Sequence, residues 1–206
     1  VLRAIRKNPV VDLILTLAMA VVIAYLVQLL VVKPFVVPSG SMIPTYEEGD
    51  HLLGVRFLYH LTDPSRGDII VFHPNGSGDQ AFRSTTVAEP YYVKRLIGMP
   101  GEEVGSHQGN VWVCRPHVVA ADPASPTATP GCRYLAEPYV HGQKTWEYGN
   151  PEVDLAPIRI PPDQYLMLGD NRENSNDGRN WGTIRASQFR ARAFMTYWPL
   201  NRISFY

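Results

Sequence analysis

The sequence predicts a mainly β domain held behind one amino-terminal transmembrane helix, and three observations carry that prediction. Leu13 to Val32 is a run of 20 residues without a charge. Beyond Pro34 the apolar residues come in short runs between turn formers, and no long 3.6-residue periodicity competes with them. The chain also holds 11 Tyr and 18 Pro, which favour strands and turns over long helices.

The 206 residues suffice for one domain of ordinary size with an anchor. Hydrophobic residues make up 45% of the chain, enough for a packed core. Lys plus Arg number 19 and Asp plus Glu 19, so the formal charge is zero. Without a global basic field, nucleic acid is not an expected partner.

The amino end comes first. At about 1.5 Å per residue, a helix over Leu13 to Val32 covers roughly 30 Å, the thickness of a bilayer's hydrocarbon core. Arg3, Arg6 and Lys7 precede the run and Lys33 follows it. The positive-inside rule then keeps residues 1–9 in the cytoplasm, makes 10–32 the transmembrane helix and leaves 33–206 outside. A cleavable leader would have an apolar region of about 7 to 15 residues and then a small-x-small site. Here Lys33-Pro34-Phe35 follows, so the anchor is expected to be retained.

Cys114 and Cys132 fall in the part placed outside, where thiols oxidise, so the sequence allows one disulfide. No metal site is expected. His51, His60, His73, His107, His117 and His141 are scattered, H-E-x-x-H does not occur, and two cysteines cannot make a four-ligand cluster. Each histidine reads as a surface or loop residue.

Strands are expected at Phe35 to Val37, His51 to Val55, Asp68 to Phe72, Tyr91 to Ile97, Val111 to Cys114 and Gln164 to Leu168. His73 to Gln80 and Ala120 to Gly131 are dense in turn formers and read as loops. Glu102 to Ile160 is rich in proline and poor in apolar strands, which marks 102–160 as an inserted subdomain and not a second full core.

Three clusters could do chemistry. Pro38-Ser39-Gly40-Ser41-Met42-Ile43-Pro44-Thr45 sets two hydroxyls around a glycine. Such a turn can present a nucleophile and its amide N–H together, although many ordinary turns have this composition. A serine nucleophile needs a base. Tyr91 to Gly98 offers Lys94, which on a strand shares a face with Tyr92 and Leu96, while Arg95 shares the other with Val93 and Ile97. A lysine among apolar neighbours loses hydration, and its amine becomes able to accept a proton. An edge-strand lysine that discourages aggregation is the alternative. The third cluster, Gly169 to Gly182, is a polar loop in which Ser175 could orient the lysine and Asp177 could pair with Arg179.

In this order behind an anchor, the clusters resemble bacterial type I signal peptidase, also called leader peptidase, a serine/lysine-dyad family. Pro38 to Thr45 resembles its nucleophile box and Arg66-Gly-Asp-Ile-Ile-Val-Phe72 the strand that follows. Tyr92-Val-Lys-Arg-Leu-Ile-Gly-Met-Pro-Gly101 resembles its lysine box, and Gly169-Asp-Asn-Arg-x-Asn-Ser-x-Asp-x-Arg-x-Trp-Gly182 its last box. Glu102 to Ile160 matches only loosely. Glu173 stands where aspartate is usual, and Gly178 where serine is usual.

The resemblance implies an antiparallel β-sheet catalytic domain of signal-peptidase type, with Ser41 as nucleophile and Lys94 as general base. It further implies that the Ser39 hydroxyl and the Ser41 amide form the oxyanion hole, that Ser175 bonds the lysine amine, and that Asp177 and Arg179 are structural supports. Phe35, Val36, Val37, Pro38 and Met42 would bind substrate, with no cofactor and no metal. The implied partners are signal peptides of secreted preproteins, cut after Ala-x-Ala-like ends, and the lipid bilayer. The implied location is the bacterial cytoplasmic membrane, with the catalytic domain on its extracytoplasmic side. A self-cleaving repressor-type peptidase and an enzyme dedicated to one substrate are the rival enzymes. A membrane-tethered β-rich binding module is the rival of another class, and it requires Ser41 and Lys94 to lie far apart.

Overall fold

The computed structural model describes residues 9–56, 58–73 and 91–206, without the side chains of 26–30, 58 and 60. Helix α1 (Pro9–Leu30) opens the described chain. Pro9 suits its first position, where a missing N–H costs nothing. The helix ends two residues before the expected boundary at Val32. Pro34 biases Lys33 toward extended backbone, so the chain turns at Val31 alone and enters a strand at Val32. Large apolar side chains of α1 from Val10 to Tyr25 are 53% to 68% exposed. The expected membrane crossing is not borne out as a span, because among the described residues no helix is long and apolar enough to cross a membrane.

Among the described residues the main sheet has eight strands. Four come early, β1 (Val32–Val36), β2 (His51–Val55), β3 (Ile69–Phe72) and β4 (Tyr92–Gly98). The segment between carries β5 (Glu103–His107), β6 (Asn110–Cys114), β7 (Cys132–Tyr134), β8 (Trp146–Glu147), β9 (Asn150–Asp154) and β10 (Ile158–Arg159). The last four are β11 (Gln164–Leu168), β12 (Ile184–Arg185), β13 (Phe189–Trp198) and β14 (Ser204–Phe205). The main-sheet order is β1-β2-β13-β3-β4-β11-β12, with β14 added to β13, and the pairings are antiparallel. Among the described residues β1 is an edge strand, paired on one side with β2. Short helices α2 (Leu58–Leu61) and α3 (Gly178–Trp181) join strands.

Residues 103–159 build more regular structure than the sequence suggests. β10, β5, β6 and β7 form a four-stranded sheet, and β8 pairs with β9. A disulfide joins Cys114 to Cys132 where β6 and β7 pair. Val104, Val111 and Val113 of this sheet pack with Ile97, Leu166 and Leu168 of the main sheet. The two sheets therefore share a core. The loop expected at 73–80 lies outside the described residues from Pro74 onward.

Candidate active site

After β1 the chain folds back on itself, with Val37 N donating to Asp50 O and Gly49 N to Val37 O. Between these points Gly40–Met42 forms a single 3-10 turn closed by Ile43 N donating to Gly40 O. Met42 is fully buried with Phe35, Val37, Tyr46 and Leu52, which pulls the turn onto the core and leaves Ser39 and Ser41 at its rim. Their hydroxyl oxygens lie 3.4 Å apart.

β4 brings Lys94 to this turn, with Nζ 2.5 Å from Ser41 Oγ. This meets the distance that proton transfer needs. It also conflicts with the binding-module alternative. Lys94 is 2% exposed. Burial, the largest influence, lowers its pKa to about 8, Asp177 and Asp170 pull the other way, and Arg179 adds to the lowering. An ammonium stripped of water is disfavoured, so a usable fraction of the amine is neutral near pH 7.

The loop from Gly169 to Gly182 closes over the turn. Asn171 donates from N to Ser41 O at 3.1 Å and from Nδ2 to Gly40 O at 2.9 Å. Gly169 must lack a side chain, since a Cβ there would collide with Ser175 Oγ and Ser41 O. Asp177 accepts from Gly169 N at 3.0 Å and pairs with Arg179 Nε at 2.9 Å. Gly178 is equally tight, because a Cβ would lie 2.6 Å from Leu166 Cδ1 and 2.8 Å from Met167 O. The serine expected at this position by resemblance has no room here. Ser175 lies beside the turn, but among the described residues its buried Oγ has no hydrogen-bond partner, and the expected bond to the Lys94 amine is not made. Arg179 donates to Ser175 O at 3.3 Å and so holds the loop backbone at this point.

A groove of about 530 Å³ runs along β1 to the pair of serines. Phe35, Val36, Val37, Pro38 and Met42 line it on one side, Tyr91 to Lys94 on the other. The sequence did not mark Lys33 and Tyr91 for this groove, yet Lys33 Nζ sits 4.9 Å above the Tyr91 ring at its rim. It also missed Asp170, Arg95 and Thr45. Arg95 donates from Nε to Asp170 Oδ1 at 2.8 Å, and Thr45 bonds the same carboxylate. The order Lys-Arg on one strand and Gly-Asp-Asn-Arg on one loop was the available signal. Among the described residues no cluster of His, Cys, Asp or Glu could hold a metal ion.

The sequence profile of the family described as signal peptidase, peptidase S26, matches residues 10–198. The chain belongs to that family. Among curated relatives, it is 34% identical to a probable signal peptidase I-2 of Synechocystis sp., over 96% of this chain and 77% of the relative. It is 34% identical to a signal peptidase I of Leptolyngbya laminosa, over 95% of this chain and 83% of the relative. A crystal structure of a signal peptidase I from Enterococcus faecalis V583 aligns with 64% of this chain and 97% of that one, at 20% identity and a TM-score of 0.35. The family membership makes this chain a bacterial type I signal peptidase, a serine endopeptidase and hydrolase. Peptidases of this family act on preproteins that carry signal peptides.

Proposed function

We propose that this signal peptidase cuts by a Ser41–Lys94 dyad. The observation that carries the reading is the 2.5 Å approach of Lys94 Nζ to Ser41 Oγ, made by an amine that burial brings to a pKa of about 8. Neutral Lys94 takes the hydroxyl proton as Oγ attacks the scissile carbonyl carbon, and the ammonium then gives that proton to the leaving amine. Water deprotonated by the same amine hydrolyses the acyl-enzyme. The Ser41 amide and the Ser39 hydroxyl donate to the oxyanion, and each donor of this kind contributes about 3 to 4 kcal/mol.

The preprotein lies extended along the open edge of β1, adding a strand through backbone hydrogen bonds. Its residues before the cut, small ones as in Ala-x-Ala ends, enter the groove that Phe35 and Met42 line. Asp177 and Arg179 hold the loop that carries Ser175. Helix α1 anchors the enzyme in the bacterial cytoplasmic membrane, with the catalytic domain on the extracytoplasmic face. Its support is the apolar surface exposed along α1, which suits lipid tails better than water.

Ser41→Ala and Lys94→Met each lower cleavage of a preprotein in detergent below detection while the protein remains folded by circular dichroism. Full cleavage by either variant would remove the dyad. In cell fractionation the full chain sediments with membranes and resists extraction by high salt; recovery in the soluble fraction would end the anchoring part of the reading.

A further inference from the structure

Three arginines, Arg95 on β4 and Arg172 and Arg179 on the 169–182 loop, each end on the same short stretch, Glu137 to Trp146, which lies in the segment that builds the second sheet. Arg95, next to Lys94 on β4, stacks over the Tyr139 ring at 3.9 Å. Arg179 donates from its guanidinium to Trp146 O at 3.1 Å. Arg172 makes the tightest connection, donating to both carboxylate oxygens of Glu137 at 2.9 and 2.5 Å, to Thr145 Oγ1, and from Nε to Gly169 O at 3.0 Å. Its side chain is fully buried and that of Glu137 is 8% exposed. The Tyr139 hydroxyl also donates to Glu137 at 2.8 Å, so one carboxylate gathers the stretch.

A buried ion pair is a weak source of net stability, because the loss of hydration offsets the attraction. A two-pronged guanidinium–carboxylate pair does supply fixed geometry. Arg172 follows Asn171, which holds the carbonyls of Gly40 and Ser41, and precedes Ser175 and Asp177 on the loop that covers Lys94. We infer that Glu137 is a positioning residue for cleavage, fixing through Arg172 the 169–179 loop over Ser41 and Lys94. The second sheet is then a working part of the active site and not an appended module. This role rests on the dyad reading.

The charged groups acting on Lys94 are Asp177, Asp170 and Arg179, all held directly or through neighbours by this loop, and burial outweighs them. A loosened loop admits water to the amine, which restores part of its ordinary basicity. The test uses the full chain in detergent and a peptide spanning a signal-peptide cut site. Glu137→Gln lowers kcat about 10- to 100-fold per folded molecule, the scale of a misplaced reacting group, and leaves KM within about twofold. The midpoint of its kcat–pH profile moves upward, and Glu137→Asp, which keeps the charge, regains part of the rate. A loss that vanishes when rates are scaled to the folded fraction, or an unmoved midpoint, would overturn the inference. If Glu137→Gln fails to fold, Glu137→Met with Arg172→Met removes both charges together and carries the same two readouts. Lys94→Met run in parallel separates the failures. Its inactivity beside an unchanged Glu137→Gln overturns the positioning role alone, whereas its full activity overturns the dyad and this role with it.

Discussion

Lys94 and Arg95 are neighbours on β4, both buried at 2% and 9% exposure, yet their surroundings treat them in opposite ways. Arg95 is met by Asp170 at two points, by the Gly67 carbonyl and by the Tyr139 ring. Lys94 ends on a hydroxyl, and among the described residues no carboxylate forms an ion pair with it. Burial without a counter-ion discourages the charge on lysine, while arginine keeps its charge under any partner. The difference teaches that the fold gives a counter-ion to one cation and, among the described residues, withholds it from its neighbour. The carboxylates that could have supplied one are bound elsewhere, Asp170 to Arg95 and Asp177 to Arg179.

The pH profile tests the unpartnered side of this contrast and has the larger expected effect. With a pKa lowered to about 8, kcat falls about tenfold per pH unit below that value and levels off above it. A flat profile from acid to alkaline pH would break the contrast. The same shift has a stability sign. Between about 8 and the ordinary lysine value, the unfolded chain holds a proton at Lys94 that the folded chain lacks, so stability rises with pH across that window. Lys94→Met removes that rise, which denaturant titrations at both ends of the window would detect.

Asp170→Asn tests the partnered side. It leaves Arg95 buried without its counter-ion and costs about 3 to 5 kcal/mol of folding stability. A loss below about 1 kcal/mol in urea unfolding would mean that water or Thr45 already satisfies the guanidinium.

The residues of the site were legible because each sits in a short segment whose residue types limit its chemistry. Ser39 and Ser41 flank one glycine, and Lys94 interrupts an apolar strand. What connects these segments was not legible. Glu137 and Arg172 are 35 residues apart, and a single glutamate in a proline-rich stretch has no local pattern that names its partner. β13 was missed although it is the longest strand, because its buried face is built on Ala191 and Ala193. The sheet is tight there, since a Cβ at Gly54 would come within 2.7 Å of Ala191 Cβ, and alanine is a weak strand former. The alternation Phe189-Arg-Ala-Arg-Ala193 was the signal that could have found it. The Ser175 bond to lysine is a matter of three-dimensional placement across 81 residues of chain, and nothing local to Asn174-Ser175-Asn176 reports whether that hydroxyl reaches the amine.

One residue, Val31, separates α1 from the edge strand that flanks the groove. So short a junction leaves little chain with which to decouple the two, and it ties the direction of the helix to that of the strand beside the groove.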